Sequence, residues 1–351
     1  MKPILLMVAA MAAAAAVPAQ ANFNFSLPIP APTSANNYPF AGPIMRYQQW
    51  YSAADWVRAA VHPVRVNTIA WPAGTPGGQT GANVDCEISI ANGPMFGPSA
   101  QFDANLLGGR VTAPRANRLL GTATPGSFPM LVTLPTDFVW DGASSVVVEV
   151  KVFGNGRGNN AFAYDLRAAT SGSPGVQRLF NVAGANEQFA AVIQPGWGLA
   201  TRFTFQEGVS VPFGQGCPGS GNVIPVAGAA GGLPLPANAG WQQTLAQAAS
   251  QRAAVLILGG SRDTFSGNPL PIDLGLIGFH GCRLLVAPSV FLPATTVGGG
   301  PGAGTAAVTV PIPPVTIFFR GYLFAQWMVL DPGAVAPGLA ASNGVWNIIG
   351  G

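Results

Sequence analysis

Residues 145–153 read Ser-Val-Val-Val-Glu-Val-Lys-Val-Phe, and this stretch decides the fold class. Valine occupies every second position from Val146 to Val152, while Glu149 and Lys151 fall on the alternate positions. Successive side chains of a β-strand point to opposite faces of its sheet. The stretch therefore predicts a β-strand whose valine face packs into a core.

Shorter alternating runs recur at 84–90, 162–166 and 199–205, and clusters of Gly, Asn and Pro such as 154–160 separate them. Short strands divided by frequent turn signals are typical of β-sandwiches. We therefore expect an all-β protein, built as two antiparallel β-sandwich (jelly-roll-like) domains in tandem.

Three segments depart from simple alternation. Residues 128–140 are apolar but contain two prolines, which predicts an edge strand or an interrupted strand. Residues 51–60 form the candidate helix, because Ser52 is placed to cap its first turn. The Ala- and Gln-rich segment 241–253 has helical propensity, but its β-rich context favours a strand.

The predicted organisation is a signal peptide at 1–21, a Pro-rich extended leader at 22–43, an N-terminal β-sandwich at 44–209 and a C-terminal β-sandwich module at 210–351. Charge supports this division. Residues 22–209 carry eleven Arg or Lys and ten Asp or Glu, whereas 210–351 carry four Arg and three Asp. Each part is long enough to bury a core of its own.

Composition excludes two classes of protein. Of the 351 residues, 49% are hydrophobic, which excludes disorder caused by too little apolar material. Only 8% are charged and the formal net charge is +3, without the clustered Lys and Arg that nucleic-acid binding needs. We therefore expect no nucleic-acid partner.

The first 21 residues predict export. Lys2 precedes an unbroken apolar run from Ile4 to Val17, and Ala19-Gln20-Ala21 gives a small-x-small cleavage pattern. The run is shorter than the ~20 residues that span a bilayer. No transmembrane helix is expected in the mature chain, since its most apolar stretch, 315–330, is interrupted by Arg320-Gly321 and Gln326. The expected location is periplasmic, cell-surface or extracellular.

Three cysteines remain after the leader. Cys86 shares a strand face with apolar neighbours, which indicates a buried thiol. Cys217 and Cys282 lie in turn-rich settings, and export favours their oxidation to a disulfide worth about 4 kcal/mol. The spacings of zinc sites are absent, so no metal is predicted.

The C-terminal part resembles a module that recurs in uncharacterised exported two-domain β-rich proteins of planctomycete-type bacteria. The upstream part, with Arg46-Tyr47-Gln48 and 138–149, is similar to the β-rich domain that often precedes that module. The resemblance implies an all-β exported protein with its cysteine pair joined, and it carries over no catalytic residue. The stretches of the module that support it are Gly216-Cys217-Pro218-Gly219, Leu256–Gly259, Leu270–Gly275, Gly281-Cys282, Gln326-Trp327, Leu330–Gly333 and Ser342-Asn343-Gly344.

Residues able to carry catalysis are few. His62 and His280 are interpreted as packing or turn residues, and no Gly-x-Ser-x-Gly motif is present. Asp85 and Glu87 share one strand face about 7 Å apart, a separation that an inverting glycosidase uses, although surface solubility explains them equally. The other carboxylates considered for such a pair are Asp137, Asp141 and Glu149.

The glycine-rich loops at 154–158, 227–232 and 298–304 lack a phosphate-binding motif, so no cofactor is predicted. The favoured function is that of an exported, non-enzymatic structural or adhesive protein. The sequence does not identify its partners, and cell-envelope components or glycans are the candidates. The first alternative is a carbohydrate-binding module that uses some of the eight tryptophans as a stacking platform. The second alternative is a glycoside or ester hydrolase that uses Asp85, Glu87 or their neighbours.

Overall fold

The computed structural model describes residues 20–28, 34–36, 38–40, 42, 44–72, 82–120, 127–155, 164–167, 175–315, 318–334 and 338–351. Over these residues the chain is all-β with several antiparallel sheets, which confirms the predicted fold class. The chain divides into a first unit, Asn22–Gln206, and a second unit, Glu207–Gly351, to which Gln20 and Ala21 also belong. The rest of the expected signal peptide lies outside the described residues.

The first unit contains thirteen of the described strands and one described helix, α1, at Ala53–Ala59. Its strands are β1 (Phe23–Leu27), β2 (Ser34–Asn36), β3 (Met45–Tyr51), β4 (Val64–Trp71), β5 (Ala82–Gly93), β6 (Gly108–Leu120), β7 (Met130–Trp140), β8 (Ser145–Asn155), β9 (Tyr164–Arg167), β10 (Val176–Asn181), β11 (Val192–Pro195), β12 (Gly198–Leu199) and β13 (Thr201–Gln206).

Two larger sheets of the first unit enclose its core. One has the order β1-β13-β4-β7 and the other β11-β10-β3-β8-β5-β6, while β12-β9-β2 forms a small third sheet. The valines of β8 from Val146 to Val152 lie in the core, where they meet residues of the opposite sheet. Tyr51 of β3 packs edge-on against Phe203 of β13 with ring centroids 5.5 Å apart, so the two sheets form a sandwich.

Several local predictions are confirmed in the first unit. α1 begins after Ser52, whose side chain accepts a hydrogen bond from the amide of Asp55. β7 lies at the end of its sheet, where the proline within it, Pro135, is tolerated. Part of the expected leader does more than lie extended, since Phe23–Leu27 pairs along its whole length with β13 and so becomes a strand of the sandwich.

The second unit contains the remaining described strands, and its two main sheets have the orders β14-β25-β24-β17-β22 and β15-β16-β23. Its strands are β14 (Val209–Phe213), β15 (Val226–Ala230), β16 (Gln242–Ala248), β17 (Ala253–Gly259), β18 (Thr264–Phe265), β19 (Asn268–Pro269), β20 (Ile272–Asp273), β21 (Arg283–Leu284), β22 (Val290–Thr295), β23 (Gly304–Thr309), β24 (Tyr322–Leu330) and β25 (Leu339–Ile348).

The core of the second unit again lies between two sheets. Leu256 of β17 and Trp327 of β24 face Leu245 of β16, and all three side chains are buried. β16 confirms the strand expected within 241–253. Because β14 pairs with β25, the chain enters the second unit at Glu207, slightly before the expected boundary at 209/210. Among the described residues, no helix is both long and apolar enough to cross a membrane.

Candidate functional site

Asp85 and Glu87, the acidic pair singled out from the sequence, each have a basic partner. On β5, Asp85 accepts hydrogen bonds from Arg115 at 2.6–3.1 Å, and Glu87 lies 3.7 Å from the ammonium group of Lys151. The bond from Arg115 lowers the pKa of Asp85 below its ordinary value. Both carboxylates therefore have basic partners on neighbouring strands, on the face where they were expected.

The other three candidate carboxylates lie in separate settings. Asp137 forms an ion pair with Arg65 across β7 and β4. Asp141 accepts hydrogen bonds from the amides of Ala143 and Ser144 and so shapes the turn before β8. The third, Glu149, lies in a different environment that the sequence did not indicate.

Glu149 is only 1% exposed, although it stands on the face of β8 opposite the core valines. Its Oε2 accepts hydrogen bonds from Arg46 Nε and from Gln48 Nε2, both at 2.7 Å. Arg46 and Gln48 belong to the neighbouring strand β3 and are equally buried. We call Arg46, Gln48, Asn105 and Glu149 the buried polar cluster.

Two loop segments cover the buried polar cluster. Asn105 Nδ2 donates to Gln48 Oε1 at 2.9 Å, and the second amino group of Arg46 reaches Asp103 at 2.5 Å. The other amino group of Arg46 donates to the carbonyl of Glu187 at 2.9 Å. The segments carrying these residues also pair with each other, because the amide of Phe102 donates to the carbonyl of Gln188.

The charges of the cluster support one another. Burial disfavours the cationic form of Arg46, but Glu149 and Asp103 outweigh this effect and raise the pKa of its guanidinium above the ordinary value. The hydrogen bond from Arg46 in turn lowers the pKa of Asp103. The described donors and acceptors around Arg46 are engaged in hydrogen bonds that hold the two loops on the sheet. The cluster therefore has a structural role.

The histidines and tryptophans do not assemble into a site. His62 is buried, with Nδ1 3.0 Å from the carbonyl of Pro63, and His280 is exposed in the second unit. Seven of the eight tryptophans are buried, as large aromatic side chains usually are, and Trp197 is 37% exposed. A single exposed indole does not make the stacking platform that the carbohydrate-binding alternative needs.

The cysteines behave as predicted. Cys217 and Cys282 form a disulfide with their Cα atoms 4.9 Å apart. Cys86 is a free thiol with no exposed surface, and its burial raises its pKa to about 11. The disulfide fixes the segment that follows Cys217, whose amide also donates to the carbonyl of Ala341 at 2.9 Å.

That fixed segment forms one wall of a pocket in the second unit, which we call the glycine-loop pocket. Its volume is about 280 Å³, and it is lined by Ser220, by residues 249–252 and by residues 298–301. The loop 298–301 is held at its base, because Val297 and Thr305 exchange backbone hydrogen bonds of 2.8 Å. Ser250 also fixes it, by donating to the carbonyl of Gly300 and accepting from its amide.

Asp331 supports the Ser220 wall from behind and is only 1% exposed. Its carboxylate accepts hydrogen bonds from the hydroxyl and the amide of Ser220 and from the amide of Gly333. Burial alone would raise the pKa of Asp331, but these hydrogen bonds outweigh burial and lower it. Gly219 has no room for a side chain, because a Cβ there would lie 2.5 Å from the carboxylate.

Sequence reasoning did not find this pocket. It treated 298–304 as a loop without a phosphate motif and gave Arg252 no role. The sequence did contain a signal, because a run of glycines at 298–300 and Arg252 both occur in the part 210–351, which has only four arginines. What the sequence could not show is that 249–252 and 298–301 face each other.

Comparisons with protein-family models, with curated proteins and with solved structures found no match to this chain. The resemblance to exported proteins of planctomycete-type bacteria stays a prediction. The geometry of the described residues is thus the basis for any functional conclusion.

Proposed function

We propose that this is an exported, non-enzymatic protein with a structural or adhesive role at the cell surface or outside the cell. The observation that supports it best is the use made of reactive side chains. Glu149 and Arg46 lock loops onto a sheet, Cys217 is covalently joined to Cys282, and Asp331 anchors a turn. Such cross-links suit a protein that must persist unchanged rather than transform a substrate.

The disulfide between Cys217 and Cys282 supports a location outside the cytoplasm. A disulfide between residues 65 positions apart is stable in an oxidising compartment, whereas the reducing cytosol keeps most thiols free. Together with the leader pattern at 1–21, this favours the periplasm, the cell surface or the medium.

The two alternatives have less support. The carbohydrate-binding alternative has Trp197 as its exposed indole, with the guanidinium carbon of Arg178 5.5 Å from the ring. The hydrolase alternative depends on Asp85 and Glu87, which are engaged by Arg115 and Lys151.

The proposal is tested by expressing the full chain in a bacterium with a separate periplasm. We expect a product that begins near Asn22 and is recovered outside the cytoplasm, either with the cell envelopes or in the medium. A matched chain that starts at Asn22 should stay in the cytoplasm. Cytoplasmic retention of the full chain would contradict the proposal. So would turnover of aryl glycosides or aryl esters that is lost in Glu87→Gln.

A further inference from the structure

We infer that the glycine-loop pocket of the second unit binds a compact oxyanion, meaning a carboxylate, sulfate or phosphate group on a small polar molecule. The inference goes beyond the structural or adhesive role and does not rest on it. It begins from Arg252, whose side chain is exposed in the pocket wall. Among the described residues, this guanidinium forms no ion pair within 4 Å and no side-chain hydrogen bond, although its charge helps to lower the pKa of the nearby Asp331 carboxylate.

The arginine is held in place by its backbone and not by its side chain. Its amide donates to the hydroxyl of Thr296 at 2.9 Å, and its carbonyl accepts from the amide of Thr296 at 2.9 Å. Thr296 is itself buried and also donates to the carbonyl of Ala249. The guanidinium is therefore presented on a fixed turn, with its hydrogen-bond donors unused.

The facing loop adds further donors. The amides of Gly298 and Gly299 have no acceptor among the residues that the structure describes, whereas the amide of Gly300 is taken by Ser250. Successive backbone amides without acceptors form anion-binding concavities in proteins, and arginine binds carboxylate and phosphate groups strongly. The nearby Asp331 carboxylate is saturated by Ser220 and Gly333, so its lone pairs do not satisfy these donors. A pocket rich in donors selects a ligand rich in acceptors.

Backbone strain occurs at the same place. Gln251, in the pocket wall, has a φ of 54°, a left-handed conformation that costs a non-glycine residue about 1–2 kcal/mol. Gly298 and Gly300 in the facing loop have φ values of 143° and 122°, which only glycine adopts readily. Strained backbone conformations persist only where the surrounding structure holds them, and they are concentrated at active sites and ligand sites. At about 280 Å³ the pocket fits a small ligand and not a polymer chain.

The test is isothermal titration calorimetry of the purified protein with sodium sulfate, phosphate and glucuronate, at constant ionic strength set by chloride. We expect saturable binding with a Kd of about 1 mM or tighter for at least one of them, and none for uncharged methyl glucoside. Preference for glucuronate would assign the anion to a sugar acid, and preference for phosphate or sulfate to the inorganic group. Absence of saturable binding by all three salts, or binding of methyl glucoside alone, would overturn the inference.

Variants locate the site. Arg252→Gln should weaken binding by at least about tenfold, because it removes a charged donor, whereas Arg283→Gln, at an exposed arginine outside the pocket lining, should leave it unchanged. Gly299→Asp should abolish binding by placing a carboxylate in the pocket, while Gly299→Ala should preserve it. A Cβ at Gly299 meets no atom within 4 Å and its φ is not left-handed, so both variants are compatible with the fold. Unchanged binding in Arg252→Gln and Gly299→Asp would overturn the assignment.

Discussion

The two units fasten their sheets with different chemistry. In the first unit, a buried arginine and a buried glutamate, Arg46 and Glu149, tie loops to the outer face of a sheet. In the second unit, a buried glutamine does comparable work, although the unit also has one buried ion-pair partner, Glu207, which lies 2.8 Å from Arg320. Buried Gln326 accepts from the amide of Leu285 at 2.9 Å and donates to the carbonyls of Arg283 and Ser342.

The difference shows that a sandwich can cover the second face of a sheet by more than one route. Either route must satisfy every buried polar group, because an unpaired one costs more than its hydrogen bond contributes. The ionic route leaves a large penalty if one partner is removed. The neutral route leaves a smaller one, and the second unit adds a disulfide instead.

The largest expected effect is in the ionic route. Glu149→Leu removes the buried counter-charge of the Arg46 guanidinium and leaves the exposed Asp103 as its acidic partner, so the first unit should lose about 3–5 kcal/mol of unfolding free energy. The measurement is urea unfolding of the first unit, monitored by the rate at which Cys86 is alkylated. This thiol reports on the first unit, since burial keeps it unexposed and raises its pKa to about 11.

The matched control is the double variant Arg46→Met with Glu149→Leu. Replacing both ions by apolar side chains removes the unpaired charge, so its loss of stability should be smaller than that of Glu149→Leu alone. If the double variant is the less stable of the two, the cluster is not held together by its charge pair, and the contrast between the units is wrong.

The next largest effect is expected in the second unit, from removal of its disulfide. Replacing Cys217 and Cys282 by alanine should lower the free energy of unfolding of that unit by about 2–4 kcal/mol, because the bond closes a long loop in the unfolded chain. Emission of the buried Trp241 and Trp327 would contribute to the unfolding signal. Alkylation of Cys86 should keep its native urea dependence. A stability equal to that of the disulfide-bonded protein would show that the disulfide adds nothing to the non-covalent contacts of the second unit.

The contrast also shows which features of the two units could be predicted from the sequence. Alternation placed the valines of β8 in the core, and export chemistry paired Cys217 with Cys282, because both follow from local pattern and compartment. Alternation also placed Glu149 on the face away from the core valines. It did not place the loop with Asn105 over that face, since covering a sheet depends on contacts between distant segments.

The glycine-loop pocket shows the same limit. Glycine at 298–300 marks a loop, and Arg252 marks a charge, but neither predicts that the two segments meet. β1 is a related case, because Phe23–Leu27 looked like part of a proline-rich leader and becomes a strand only through its pairing with β13. Long-range pairing was the missing information in each case.

The smallest effect concerns the one buried carboxylate among the three aspartates in 210–351. Hydrogen bonds from Ser220 and Gly333 lower the pKa of Asp331 in the folded protein, so its charged form favours folding. That contribution to stability is complete above the unfolded pKa of about 3.9 and is lost as the pH falls through the lower folded pKa.

Asp331→Asn should cost about 1–2 kcal/mol at pH 7 and should flatten the acid dependence of the second unit's unfolding below about pH 4. Urea unfolding at a series of pH values measures both. If Asp331→Asn has the same acid dependence as the native protein, the second unit does not depend on this carboxylate. The charge of Asp331 would then contribute little to how the second unit holds its loops.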